Sequence, residues 1–311
     1  MHKLDLRLQN IPADIWKNIA SIDELKGRWT ASASLHPQVL TRLKHSVLIT
    51  STGASTRIEG AVMSDEDIEK LMRGISIEKF KDRDVQEVKG YFELLQNVFD
   101  SWQNLVFNES AIKHFHKELL KYVEKDKLHR GNYKTTENKV HMIDDKGQSI
   151  GVLFDTTPAY LAPIAMQESV EWMMKALKDK SYHPILTIGN FLVEFLQIHP
   201  FQDGNGRLSR ILTNLLLLKE GYLYMPYVSH EKLIEDNKPD YYLALRNSQK
   251  TFNTEKAMPA CRQENITSWL QFFVTIILLQ SQMAVDLLTS ETIEKILSPI
   301  QIKVWNYFQK V

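Results

Sequence analysis

The sequence predicts an all-α protein with one small β-hairpin. Apolar residues recur at helical spacing along most of the chain, one segment breaks that spacing, and helix start and stop signals bracket the apolar stripes. Val85, Val88, Phe92, Leu95 and Phe99 make one stripe, and Ile112, Phe115, Leu119, Leu120 and Val123 a second. Ile185, Ile188, Leu192, Phe195 and Leu196 make a third. Ser64-Asp65-Glu66-Asp67 reads as a capping sequence ahead of Ile68, Leu71 and Met72, and Gly221 reads as a terminator after the run Leu215 to Leu218.

The exception is residues 132–154, where Val140, Met142, Ile150 and Val152 flank the turn-forming Asp144-Asp145-Lys146-Gly147. That pattern predicts a β-hairpin. A lone hairpin on a helical body is marginal by itself, so it reads as a lid or docking edge. Beyond a long helix expected from about Ile266 to Leu288, residues 290–311 offer a capped helix and then Ser298-Pro299 opening another. The resulting division is a helical N-terminal region over 1–105, a core over 106–255 and C-terminal helices over 256–311.

Composition narrows the function classes. Lys plus Arg and Asp plus Glu are both 38, so no excess charge points to nucleic acid or a membrane surface, and an anionic ligand must be met by a local cluster. A single cysteine, Cys261, rules out an internal disulfide framework and is read as a small packed residue. The N-terminal residues lack a signal-peptide core, and the greasiest stretch, Phe272 to Leu279, is too short to span a bilayer. The expectation is a cytoplasmic protein.

The chemistry concentrates in residues 199–210, His-Pro-Phe-Gln-Asp-Gly-Asn-Gly-Arg-Leu-Ser-Arg, between two apolar helices. Glycines on both sides of Asn205 suggest positive φ and an anion-binding nest, and the next helix adds its positive dipole end. Arg207 and Arg210, three apart, share a helix face and can reach two phosphates. Asp203 beside such a nest would repel a bare phosphate, so a Mg2+ between them is the economical reading. His199 supplies an imidazole suited to taking a proton near neutral pH. No group need become covalently modified, so the kit suits direct transfer of a phosphoryl or nucleotidyl group to a hydroxyl.

These residues match the signature of the Fic family at every specified position. The resemblance implies a compact helical core with the motif loop between two helices and a hairpin flap beside it, and transfer of AMP from ATP to a Ser, Thr or Tyr hydroxyl. It gives His199 the role of base and Asp203 that of Mg2+ ligand. Gly204, Asn205 and Gly206 would hold the α- and β-phosphates, Arg207 the β- and Arg210 the γ-phosphate, while Phe201 fixes the loop from the core. Tyr133-Lys134-Thr135-Thr136 leading to Val140, His141, Met142 and Ile143 resembles the family flap, on which the target docks by strand addition. Pro158-Ala159 stands where many members have two prolines. Tyr241-Tyr242 resembles the tyrosine pair near the adenine. Residues 290–311 resemble the opening of a winged helix-turn-helix unit that some members carry, so DNA is a partner only where that unit is complete.

Ser55-Thr56-Arg57-Ile58-Glu59-Gly60 matches the family's inhibitory signature, with Ser55, Glu59 and Gly60 at its specified positions. The resemblance implies that Glu59 pairs with Arg210 in the place of the γ-phosphate, that homodimerisation regulates this brake, and that Glu59 assists removal of AMP. Two rival readings remain: the same fold transferring UMP, phosphocholine or phosphate, and a DNA-binding regulator that uses its C-terminal region.

Overall fold

A computed structural model describes residues 2–31, 37–74, 82–143, 149–252 and 264–288. Cys261, the hairpin turn at 144–147 and the segment 290–311 lie outside the described residues. Twelve α-helices are described: α1 Lys3–Leu6, α2 Ala13–Ala31, α3 Pro37–Ile58, α4 Asp65–Met72, α5 Asp82–Ser101, α6 Glu109–Leu119, α7 Ala162–Lys178, α8 Pro184–Ile198, α9 Asn205–Lys219, α10 His230–Asp236, α11 Lys238–Gln249 and α12 Thr267–Asp286. Strands β1 Lys139–Ile143 and β2 Ser149–Asp155 pair antiparallel, Val140 opposite Phe154 and Ile143 opposite Ser149, with two register irregularities between.

The stripes do what their spacing requires. Val88, Leu95, Ile112, Leu119, Ile188 and Phe195 are all fully buried. Helix α8 goes further, since every residue from Ile185 to Ile198 is buried, which identifies it as the central helix rather than an amphipathic surface one. The predicted signals also appear: the Ser64 side chain accepts from the Asp67 N–H, and Gly221, at φ 84°, sends its N–H back to Leu218 while Tyr222 N–H returns to Leu217.

Helix α12 corrects one expectation. Its apolar character extends over all 20 residues, so by length and composition alone it could cross a bilayer, unlike the shorter run read from sequence. In the fold it lies against α2, α8, α10 and α11 and buries Trp269, Phe273, Val274 and Ile277. The contact with α8 is close because position 189 is glycine: a Cβ there would meet Phe273 at 2.9 Å and Leu270 at 3.0 Å. Trp269 Nε1 donates to the Gly189 carbonyl at 2.7 Å.

The N-terminus is fastened to the same centre by charge. Arg7 donates to Glu194 on α8 at 2.6 Å and to Glu264 at 2.6 Å, and Lys3 adds a 2.6 Å bond to Glu194. Burial alone would raise the Glu194 carboxyl, but Arg7 and Lys3 hold it below the usual range. Removing one member of a buried pair leaves the other charge uncompensated. Arg7→Met is therefore expected to lower unfolding free energy by about 3–5 kcal/mol, measured by urea titration, while Lys44→Met, at a partly exposed pair, should change it by under about 1 kcal/mol.

Candidate active site

Residues 199–204 connect α8 to α9, and their conformation is dictated from several sides. His199, the C-cap of α8, adopts the left-handed conformation at φ 49° and ψ 59°, unusual for a residue with a Cβ. Its neighbours hold it there. The Lys134 N–H bonds the Pro200 carbonyl at 2.8 Å, the Thr157 N–H bonds the Gln197 carbonyl at 3.1 Å, and the Asn138 side chain donates to Phe201 O at 2.9 Å. Phe201 is fully buried and stacks on His116, ring centroids 3.8 Å apart, which is the core anchor its sequence position suggested.

His116, on α6, is itself a structural pin. Its Nδ1 accepts from the Gly131 N–H at 2.9 Å, so Nε2 carries the proton and donates to the Asp203 carbonyl at 2.9 Å. Burial pulls its pKa down to about 4 and keeps it neutral.

Asn205 has a structural task in the loop. Its side chain is 1% exposed, accepts from Phe201 N–H at 2.9 Å and donates to Phe201 O at 2.7 Å. It braces the loop from inside with its oxygen and one of its two N–H groups. The glycines also divide their work. Only Gly204 takes a positive φ, 79°, whereas Gly206 is helical, so the two-glycine nest is a single left-handed residue leading straight into α9. No side-chain hydrogen bond caps that helix start, which leaves the amides of its first turn for an anion.

Gly206 is required for another reason. A Cβ there would lie 2.2 Å from Glu59 Oε1. The Glu59 carboxylate therefore rests on the first turn of α9, where an anion is favoured. It accepts from Arg210 Nη2 at 2.7 Å, while Arg210 Nε donates to Ser55 Oγ at 2.8 Å and Nη2 to the Ser55 carbonyl at 2.9 Å. Gly60, at φ 99°, ends α3 so that Glu59 is delivered to this spot. Ser55 and Glu59, read together from sequence, meet at the Arg210 guanidinium, and Gly60 follows them as the helix terminator.

Arg207 and Arg210 are each 2% exposed and both already carry carboxylate partners. Arg207 lies 2.8 Å from Glu87 and 3.2 Å from Asp203. Burial opposes the charge on each arginine, but Glu87 with Asp203 at the first and Glu59 at the second outweigh it and raise both pKa values. Asp203 also accepts from Gly204 N–H and from Arg83 at 2.9 Å, and its carboxyl stays below the usual range because Arg207, the Gly204 N–H and Arg83 overcome its burial.

His199 is partly buried, and its Nδ1 lies 3.4 Å from the Leu196 carbonyl. A carbonyl only accepts, so Nδ1 donates and Nε2 keeps its lone pair. Burial and the nearby Lys134 charge lower its pKa to about 4, leaving a neutral imidazole at pH 7.

Tyr241 and Tyr242 divide. Tyr241 is core, packed on Trp269 and Phe272, with its hydroxyl raised to about 12 by burial. Tyr242 donates to the Ile58 carbonyl at 3.3 Å, beside Glu59. Val140, His141, Met142 and Ile143 fall on β1, whose side chains lie outside the described residues; the partner strand β2 approaches α11, which carries both tyrosines. His116, Glu87, Arg83 and the ammonium of Lys134 complete the site without having been read as site residues. Glu87 and His116 had one sequence signal, a charged or titratable residue embedded in an apolar stripe.

Residues 106–217, which contain this loop, match the Fic/DOC family. That segment is similar to a Fic domain. The chain is similar to a probable protein adenylyltransferase of Aquifex aeolicus, 34% identical over 84 residues covering 27% of this chain and 25% of that one. It is also similar to the protein adenylyltransferase Fic of Drosophila mojavensis, 32% identical over 120 residues covering 39% and 21%. The matches thus span about a quarter of the length of these relatives. Among solved structures, a Fic family protein from Desulfovibrio desulfuricans superimposes with a TM-score of 0.69 at 25% identity, covering 89% of this chain and 76% of that one. A Fic domain containing signaling protein from Bacteroides thetaiotaomicron gives 0.66 at 20% identity, covering 86% and 96%, and shares the fold.

Two expectations follow for this site. Gly206→Ala should destabilise the protein by about 1–3 kcal/mol through collision with Glu59, and most of that loss should vanish in the Glu59→Gly background; thermal unfolding of the four forms measures the coupling. The buried neutral His116 and His230, both lowered from 6.5 to about 4, cost nothing above pH 6.5. Below that the unfolded chain takes up protons first, so stability should fall as pH drops from about 6.5 towards 4. Urea midpoints across that range, compared with His116→Phe, test the sign.

Proposed function

We propose that this protein transfers AMP from ATP to a Ser, Thr or Tyr hydroxyl of a target protein or of itself, and that Glu59 restrains the reaction. The observation that carries the reading is a carboxylate seated on the first turn of α9 and bonded to Arg210 at 2.7 Å, an anion standing where a phosphate would be held. The likeness of residues 106–217 to the Fic/DOC family supports the same chemistry.

In this account the nucleotide phosphates lie along the start of α9, with Arg207 facing the β-phosphate and Arg210 the γ-phosphate once each exchanges its carboxylate for phosphate oxygen. His199 Nε2 takes the proton of the incoming hydroxyl as that oxygen bonds the α-phosphorus and the bond to the bridging oxygen breaks, releasing pyrophosphate. Among the described residues no cluster of three or more His, Cys, Asp or Glu could hold a metal by itself. An ionised Asp203, once Arg83 gives up its oxygen, would fit a Mg2+ that takes its other ligands from polyphosphate and water. Bound there, Mg2+ would offset the phosphate charge. Residues 132–154 would dock the target segment by strand pairing, and Tyr242 would lie near the adenine.

Pairing with Glu59 leaves Arg210 unable to receive the γ-phosphate, so ATP would bind with its α-phosphate out of line. Relief requires movement of the α3 end. A cytoplasmic homodimer is the proposed setting for that regulation, and assistance by Glu59 in removing AMP is a second role consistent with its place.

The test is to incubate wild type, Glu59→Gly and Glu59→Gly/His199→Ala with ATP and Mg2+ and to weigh the intact proteins. One added AMP in Glu59→Gly alone is expected; equal labelling of the His199→Ala form would remove His199 from the base role. Transfer by Glu59→Gly should hold steady from pH 7 to 6 and fall only as pH drops towards about 4, where the imidazole protonates.

A further inference from the structure

We propose that Lys134 is a positioning residue of this site, its ammonium held between the Ile198 carbonyl and the side chains of Asn138 and Thr156 so that His199 and the base of the hairpin are fixed to one another. The proposal rests on the reading of His199 as the base.

Lys134 is 4% exposed. Buried lysines normally pair with a carboxylate, because an ammonium taken out of water is costly. Here its three bonds go instead to neutral oxygens: Asn138 Oδ1 at 2.8 Å, Thr156 Oγ1 at 2.8 Å and Ile198 O at 3.1 Å. Each proton of the ammonium has one acceptor, and the three acceptors come from different parts of the fold. Asn138 precedes β1, Thr156 follows β2, and Ile198 is the last residue of α8, directly before His199.

The Ile198 carbonyl belongs to the helix end that has no intrahelical partner, and the left-handed turn at His199 leaves it facing inward. Lys134 satisfies it with a charge of the sign that a helix C-terminus favours. The backbone of the same residue bonds Pro200 O on the other side of His199, so Lys134 holds the peptide groups flanking the imidazole. Thr156 Oγ1 in turn donates to Asn138, closing the two ends of the hairpin on each other. A shift of the hairpin is thereby felt at His199. The charge also acts on the imidazole: burial and Lys134 lower its pKa, against Glu59 and Asp203, which raise it. Burial brings the ammonium itself down to about 8.

The experiment compares Lys134→Met, Lys134→Arg and Thr156→Val, each in the Glu59→Gly form of the full chain, by amide hydrogen exchange and steady-state AMP transfer. Lys134→Met should speed exchange at the Lys134, Thr157 and Phe201 amides at least tenfold. It should also lower kcat at least tenfold, with KM for ATP within twofold. Lys134→Arg should recover part of both, and Thr156→Val should move both in the same direction by less. Unchanged exchange at those amides, or a raised KM with kcat intact, overturns the proposal. Should Lys134→Met not fold, the paired response of exchange and kcat in Thr156→Val decides it. Should the Glu59→Gly parent transfer nothing, the transfer reading fails, and the exchange measurement still decides whether Lys134 joins hairpin and loop.

Discussion

The constraint on which the rest of this structure depends is the buried positive charge of Arg210. A guanidinium cannot shed its proton, so a side chain only 2% exposed must find an anion and enough acceptors. Ser55 supplies two acceptors from the last turn of α3, and Glu59, just past its end, supplies the anion. Much of the local sequence follows from that need: a glycine at 60 to end the helix with φ 99°, a glycine at 206 because no Cβ fits beneath the carboxylate, and a part-exposed Glu59 that can leave. A ligand phosphate and Glu59 would compete for the same group.

The motif loop is rigid for a different reason. Its backbone polar groups are paired with side chains from distant segments: His116 on the Asp203 carbonyl, Asn138 and Asn205 on Phe201, Lys134 on Ile198. Preorganisation of this kind holds reacting groups in place before a substrate arrives, and it keeps His199 in a left-handed conformation it would not choose alone. Holding the imidazole neutral is part of the same arrangement, since burial and a nearby ammonium both oppose its protonation.

Much of this was legible in the sequence because helical spacing and the 199–210 motif are local signals. The stripes of α5, α6 and α8 and the meeting of Ser55 and Glu59 with Arg210 followed from short patterns. What the sequence hid depends on long-range pairing. That Asn205 braces the loop shows only once Phe201 is seen on both ends of its amide, and Gly206 reads as a nest glycine until Glu59 is found over it. Glu87, His116 and Lys134 act on the loop from α5, α6 and the segment before β1, tens of residues away, where no spacing rule reaches. The apolar length of α12 was underestimated because its polar positions, Gln280 and Ser281 among them, are buried against the Val228 carbonyl and Tyr224 rather than exposed.

The central claim is that the Glu59 carboxylate occupies the place of a phosphate. A crystal structure of the Glu59→Gly protein with Mg2+ and a non-hydrolysable ATP analogue tests it most directly. The account predicts the γ-phosphate within hydrogen-bond distance of Arg210 at the position the carboxylate left, with His199 facing the α-phosphate. A γ-phosphate bound elsewhere, with Arg210 still held only by Ser55, would contradict it.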